Sequence, residues 1–178
     1  MIYALTTGYV DALYHYLNDW YPDQVVRYHA QMQPQSLRHG MELDFLRGER
    51  KIMVATSAFG MGIDVPDIEI VLHFNTPLGL TDYIQQIGRG GRDRKTRCTC
   101  VLFYEGNGDD AQIVRSFEKR AKNESKKAAT IIKGNYERMQ EFIHSTNCMM
   151  QDVLAYQGQI ERKTCKCCTC CARKRRGG

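Results

Sequence analysis

Short apolar runs of strand length recur about every 20 to 30 residues over the first hundred positions: 2–5 (IYAL), 25–28 (VVRY), 51–55 (KIMVA), 70–74 (IVLHF) and 99–104 (TCVLFY). Between the first three, the apolar period becomes helical. Val10, Leu13, Tyr14 and Leu17 share one face of 9–20, and Leu37, Met41, Leu43 and Phe45 recur through 35–47, a segment opened by Pro34. Strands that are apolar throughout and alternate with helices predict a parallel sheet covered on both faces. Past Tyr104 the stretch EGNGDD breaks the pattern. From Asp109 to about Tyr156 the chain reads as helical, interrupted near Lys133-Gly134-Asn135. The expectation is an α/β domain over 1–107 followed by a small helical unit over 108–178, with the boundary near Gly106 to Gly108 and no repeat at solenoid periods.

Length agrees with this division, since 178 residues accommodate one core of about 100 to 110 residues and a smaller annex. A hydrophobic fraction of 43% with 25% charged residues is that of an ordinary globular chain and argues against disorder. No apolar run approaches the roughly 20 residues of a membrane-spanning helix, and the opening MIYALTTGYVDALYHYL has neither the basic start nor the cleavage site of a signal peptide. An intracellular protein without a membrane partner is expected: cytoplasm or nucleoid in a bacterium, nucleus in a eukaryote. The net charge of +5 is local, because residues from Glu161 onward carry +6 and leave −1 on the rest. A basic end on a near-neutral body suits nucleic acid, and a simply solvated tail looks the same.

Candidate chemistry concentrates in two stretches of the first unit. TSAFGMGIDVPD after the third strand has no helical period and reads as a loop at a strand's carboxyl end, where open parallel sheets place ligands. QQIGRGGRD at 85–93 sets Arg89 and Arg92 three positions apart among Gly88, Gly90 and Gly91. With Thr81 capping a helix through Tyr83, Ile84 and Gln85, the two guanidiniums share a face and can grip neighbouring oxygens of a phosphate chain. A solvated glycine-rich turn is the alternative for the bare pattern.

Taken together, VATSAFGMGID at 54–64, QQIGRGGRD at 85–93 and YHA at 28–30 resemble motif V, motif VI and the conserved block before them in superfamily 2 helicases, specifically the RecQ family of DNA helicases. The resemblance runs from about Ile2 to Cys171. It implies a second RecA-like motor lobe, whose arginines complete an ATP and Mg2+ site built mainly by an N-terminal RecA-like lobe. Arg92 would be the arginine finger at the γ-phosphate, with Arg89 beside it and Gln85 sensing the nucleotide. Asp64 and Gly62 would reach the nucleotide, and Thr56, Thr6 and His29 would lie on the DNA track. Phe59 and Met61 are read as packing residues. The sequence departs from the family at Gly90, where alanine is usual, and a glycine there is expected to loosen both arginines. Neither G-x-x-x-x-G-K-[ST] nor an acidic D-E-x-[HD] element occurs, so the chain by itself is expected not to hydrolyse ATP.

Six of the eight cysteines fall between Cys148 and Cys171, which in a chain read as intracellular points to metal rather than disulfides. Cys165, Cys168 and Cys171 form C-x-x-C-x-x-C, with Cys148 before them, and two-residue spacers let thiolates converge on one tetrahedral zinc ion. Cys167 and Cys170 make an interleaved frame that spacing alone leaves open, and a cysteine-rich tail without metal is the plain alternative. The resemblance favours Cys148, Cys165, Cys168 and Cys171, the pattern of the small helical zinc-binding subdomain that follows the RecQ motor lobes. CMM at 148–150 and YQGQ at 156–159 depart from the family strings around it. Cys98 and Cys100, alternating on a strand, are expected to be buried thiols.

The resulting expectation is the C-terminal motor lobe and zinc subdomain of an ATP-dependent 3′–5′ DNA helicase of repair and recombination, acting on single-stranded DNA and duplex junctions. The rivals are the C-terminal lobe of an RNA helicase and a non-catalytic zinc-stapled module that binds nucleic acid.

Overall fold

The computed structural model describes residues 1–60, 68–92, 97–106 and 108–176. Five strands, β1 (Ile2–Tyr3), β2 (Val25–Tyr28), β3 (Ile52–Ala55), β4 (Ile70–His73) and β5 (Thr99–Leu102), form one sheet in the order β2-β3-β1-β4-β5. Every pairing is parallel, as continuously apolar strands require. The connection from β3 to β4 crosses over β1, so loops from the carboxyl ends of β1, β2 and β3 stand side by side.

Side chains alternate strictly between the two faces. Ile2, Ala4, Val25, Ile52 and Val54 pack with Val10, Leu13, Tyr14 and Leu17 of α1 (Thr7–Trp20). Tyr3, Val26, Met53, Ala55 and Val71 pack on the opposite face with Phe59 and with Met41, Phe45 and Leu46 of α2 (Gln35–Leu46). Pro34 stands at the N-cap of α2. Leu37, expected on the inner face of that helix, is exposed instead, because the face is completed by the i, i+4 pair Met41 and Phe45.

Helix α3 (Leu80–Ile87) begins from Gly79 rather than Thr81. A side chain at Gly79 would press on Asn135, whose Cβ lies 3.0 Å from where its own Cβ would be. Thr81 sits inside the first turn, with its hydroxyl 2.8 Å from that of Tyr156. The helix stops at Ile87, so the arginines lie in the turn that follows and not on a helical face.

Beyond β5 come α4 (Asp109–Glu124), α5 (Lys126–His144), α6 (Met149–Tyr156) and α7 (Thr169–Arg176). The helical stretch breaks at Ser125, not near Gly134. Ser125 turns extended and caps α5 by accepting from the Lys127 amide, while Gly134 has open space and is carried through the helix. These helices seat on the sheet unit through Met139, Phe142 and Val153, which pack with Leu80 and Tyr83 of α3. Asp110 of α4 accepts from the Thr76 amide (2.7 Å) and the Asn75 side chain (3.1 Å), which clamps the loop before α3. Among the described residues no helix is long and apolar enough to cross a membrane.

Candidate functional site

The three residues expected on a DNA track follow three neighbouring strands. Thr6 ends the β1 segment and caps α1, its hydroxyl oxygen accepting from the Tyr9 amide at 3.2 Å. Thr56 follows β3 and accepts from the Ala58 amide at 3.4 Å. In both, the oxygen is the acceptor and the hydroxyl proton remains to be donated outward. His29 follows β2 and is buried, its Nε2 3.1 Å from Asp11, which also accepts from Arg27 at 2.7 Å. In strand order β2-β3-β1, the three stand in a row along the carboxyl edge.

The arginine turn lies elsewhere. α3 runs back across the sheet, and the turn after it is fastened beside the amino end of β4, where the Gly91 amide donates to the Ile68 carbonyl at 3.2 Å. Gly91 has φ +64°, the left-handed conformation that glycine adopts without cost. The turn is tightened by Arg89 and Gly90 amides donating to the Gln86 and Ile87 carbonyls. Arg92 is exposed and folds back so that Nε donates to the Gly88 carbonyl at 3.1 Å. The Arg89 guanidinium covers Gly60, since a Cβ there would sit 2.8 Å from its Cζ. The TSAFG loop and the arginine turn are therefore in direct contact, which spacing along the sequence did not reveal. Gln85 is exposed on the last helical turn before it. Gly62 and Asp64, like Met61, lie outside the described residues. Phe59 is core, packed edge-on against Tyr28 and Phe45.

Beneath the turn runs a buried polar line that sequence reasoning missed. Tyr3 stacks on His73 at 5.6 Å, and His73 Nε2 lies 2.8 Å from Gln86 Oε1 on α3. Burial pushes His73 down to about 4, against the Gln86 contact, so the ring is neutral near pH 7. Burial pushes the Tyr3 hydroxyl up to about 12, and the nearby Arg89 and Arg92 charges oppose that rise. The lone clue in the sequence is a histidine in an apolar strand.

The cysteine centre forms at the far end of the annex. Sulfurs of Cys148, Cys165, Cys168 and Cys171 all lie within 4.8 Å of one another. A tetrahedron with ~2.3 Å metal–sulfur bonds has edges of about 3.8 Å, and the Cys165 to Cys171 separation is 4.0 Å. Amides of Cys165, Cys168 and Cys171 point at the sulfurs of Cys148, Cys165 and Cys168. Burial pushes the Cys148 thiol up, but the Cys165 and Gln151 amides outweigh it and bring the group down to about 6. Four soft donors wrapped in N–H groups fit a thiophilic divalent ion. Cys167 is exposed and Cys170 turns to the Ser145 carbonyl, so the interleaved frame does not converge. Cys98 and Cys100 are half-buried and exposed rather than buried, because β5 is an edge strand.

Known proteins extend the geometry. Residues 1–94 match the helicase conserved C-terminal domain family. The ATP-dependent DNA helicase RecQ of Bacillus subtilis is 32% identical over 173 residues, covering 96% of this chain and 28% of that protein. A putative ATP-dependent RNA helicase of Acanthamoeba polyphaga mimivirus is 33% identical over 129 residues, 72% of this chain and 23% of that protein. The fold resembles that of the yeast DEAD-box splicing factor Prp28, with TM-score 0.54 and 23% identity over 76% of this chain and 30% of that one. The chain thus spans about a quarter of the length of the curated relatives named here. A parallel RecA-like sheet, an arginine turn locked onto the TSAFG loop and a four-cysteine cluster agree with these matches: the chain belongs to the helicase conserved C-terminal domain family, on the RecQ branch of superfamily 2.

Proposed function

We propose that this chain is the second motor lobe (1–107) and zinc-binding subdomain (108–178) of an ATP-dependent 3′–5′ DNA helicase of repair and recombination. The observation that carries this reading is the convergence of Cys148, Cys165, Cys168 and Cys171 in a chain whose first 94 residues belong to a helicase family. A motor lobe alone has no need of four thiolates. Zinc held by them would be structural, with no open coordination position, and would staple the annex.

In the working enzyme an N-terminal RecA-like lobe supplies the phosphate cradle and Mg2+ site. Arg92, exposed at the end of the turn, reaches across to the γ-phosphate of ATP. Arg89 stays on Gly60 and ties that reach to the motif V loop, while Gln85 faces the nucleotide from the helix. Gly62 and Asp64 would contact the nucleotide, as the resemblance of this motif to the family implies. Thr56 and Thr6 donate to backbone phosphates of single-stranded DNA along the carboxyl edge, and His29 supports that edge through Asp11. Closure of the two lobes on ATP and release after hydrolysis move the strand, with phosphate contacts dominating affinity.

Arg92→Ala in the full-length protein tests the central role. ATP turnover is expected to fall by about 10³-fold or more, as for other arginine fingers, with single-stranded DNA affinity within about twofold of the parent. Turnover near the parental rate sinks the assignment. A second reading, an RNA helicase, is favoured by the viral relative. Strand separation of RNA duplexes but not DNA duplexes by the full-length protein would select it.

A further inference from the structure

Gly90 and Gly91 are adjacent glycines of the arginine turn, but only Gly91 has a positive φ. Backbone conformation therefore requires glycine at 91 and not at 90. What fixes Gly90 is volume. A Cβ on it would lie 2.0 Å from Cys98 Sγ, 2.7 Å from Cys98 Cβ and 3.4 Å from the Ile68 carbonyl oxygen. No non-bonded carbon and sulfur approach so closely, so the thiol occupies the place of a methyl on residue 90. Cys98 also packs against the core cluster that contains Phe59 and Ile68. The same corner is closed by the Gly91 amide on the Ile68 carbonyl and the Thr99 amide on the Glu69 carbonyl.

We propose that Cys98 is a positioning residue for the arginine turn, its thiol filling the space that a side chain at residue 90 would need and keying residues 88–92 to the start of β5. The pair works as one unit: a small residue at 90 calls for a side chain at 98, and a methyl at 90 calls for none. This rests on the proposed role of Arg92, because turnover is what a misplaced turn would alter.

The test is a double-mutant cycle in the full-length protein, reading ATP turnover and melting temperature together, with Arg92→Ala as a control. Cys98→Gly, which empties the notch, is expected to lower kcat about threefold to tenfold with KM for ATP within about twofold, the signature of a lost alignment rather than lost binding. Gly90→Ala, which overfills it, lowers kcat by more than about tenfold. The combined Gly90→Ala, Cys98→Gly variant recovers kcat to within about threefold of the parent, and Gly90→Ala with Cys98→Ala recovers less, because the Cβ at 98 remains close. If Gly90→Ala alone fails to fold, recovery of folded, active protein by adding Cys98→Gly is the same coupling. Losses that simply add, or a double variant no better than Gly90→Ala, overturn the proposal. Coupling in melting temperature but none in turnover also overturns the positioning role. Where Arg92→Ala itself leaves turnover intact, the arginine-finger reading fails instead.

Discussion

The sheet unit and the annex bury their side chains in different ways. Within the sheet, neighbouring residues of each short strand go to opposite faces, Val25 and Val54 toward α1, Val26 and Met53 toward α2, so two cores close around one layer. Among its described residues the annex shows no separate cluster of buried hydrophobic side chains. Its buried side chains Met139, Phe142 and Val153 meet Leu80 and Tyr83 on α3, and its far end is gathered by cysteines. The annex is thus built as a prop for the helix that leads into the arginine turn. Damage to it should travel toward Arg89 and Arg92, whereas damage to the α1 face of the sheet should not.

The sharpest way to break this contrast is to remove the staple. Exhaustive chelation, or Cys148→Ser, is expected to unravel α7 and to loosen α6, which keeps Val153 on α3, while β1 to β5 keep their own cooperative melt; a structural zinc contributes about 10 kcal/mol or more to a small domain. Loss of far-ultraviolet helical signal with a surviving thermal transition checks it. An unchanged spectrum after verified metal loss would mean that the annex holds itself together. Next in size is Phe142→Ala, which should cost ~3–5 kcal/mol and lower ATP turnover in the full-length protein, because Phe142 packs in a tilted arrangement against Tyr83 of α3 at 5.3 Å. Val10→Ala on the opposite face should cost stability without a matching loss of kcat. Equal kinetic losses would erase the distinction between the halves.

A pH titration probes the seam between them. His73 is buried against Gln86 with a folded-state pKa of about 4, below its ordinary 6.5. The unfolded chain binds a proton in the window from 6.5 to 4 and the folded chain does not, so this contribution is complete above the window and is lost as pH falls through it. The loss amounts to about 3 kcal/mol at ~1.4 kcal/mol per pH unit. Urea unfolding at pH 7 and at pH 5, for the parent and His73→Gln, reads about 2 kcal/mol of it. A variant with the same acid slope as the parent would assign the slope to other groups.

Much of this was legible in the sequence because the periods are strong. All five strands lie within the apolar runs, and α1 and α2 begin within two residues of the periodic segments. The cysteine frame was narrowed by Cys148, which a spacing rule for 165–171 cannot supply alone. The misses have different causes, some tertiary and some local. Gly134 looked like a break, yet α5 carries it because open space surrounds it. Thr81 looked like a cap, yet α3 starts two residues earlier, where Gly79 lets α5 approach. Cys98 looked like a core thiol, and its partner, Gly90, could be found only in space. The helical face expected for the arginines failed for a local reason, since α3 ends at its C-cap, Gly88, before either is reached.

The smallest effect separates the carboxyl edge from the arginine turn. Thr56 Oγ1 accepts from the Ala58 amide, and in the proposed role its proton is donated to a phosphate. Thr56→Val preserves shape and removes that donor together with the acceptor of the Ala58 amide, so single-stranded DNA affinity should fall by about tenfold or somewhat more, the worth of one hydrogen bond to a charged group at about 1.5 kcal/mol. No charge is lost, so the dependence of log Kd on log salt should keep its slope, whereas removing a phosphate-pairing lysine or arginine would reduce it by about one. Because the TSAFG loop meets the arginine turn through Gly60 and not through Thr56, DNA-saturated ATP turnover should stay near the parental value. Anisotropy titrations across a salt series, paired with turnover at saturating DNA, decide it: a changed slope would mean that the edge binds through charge, and lost turnover would mean that the two edges are not separate sites.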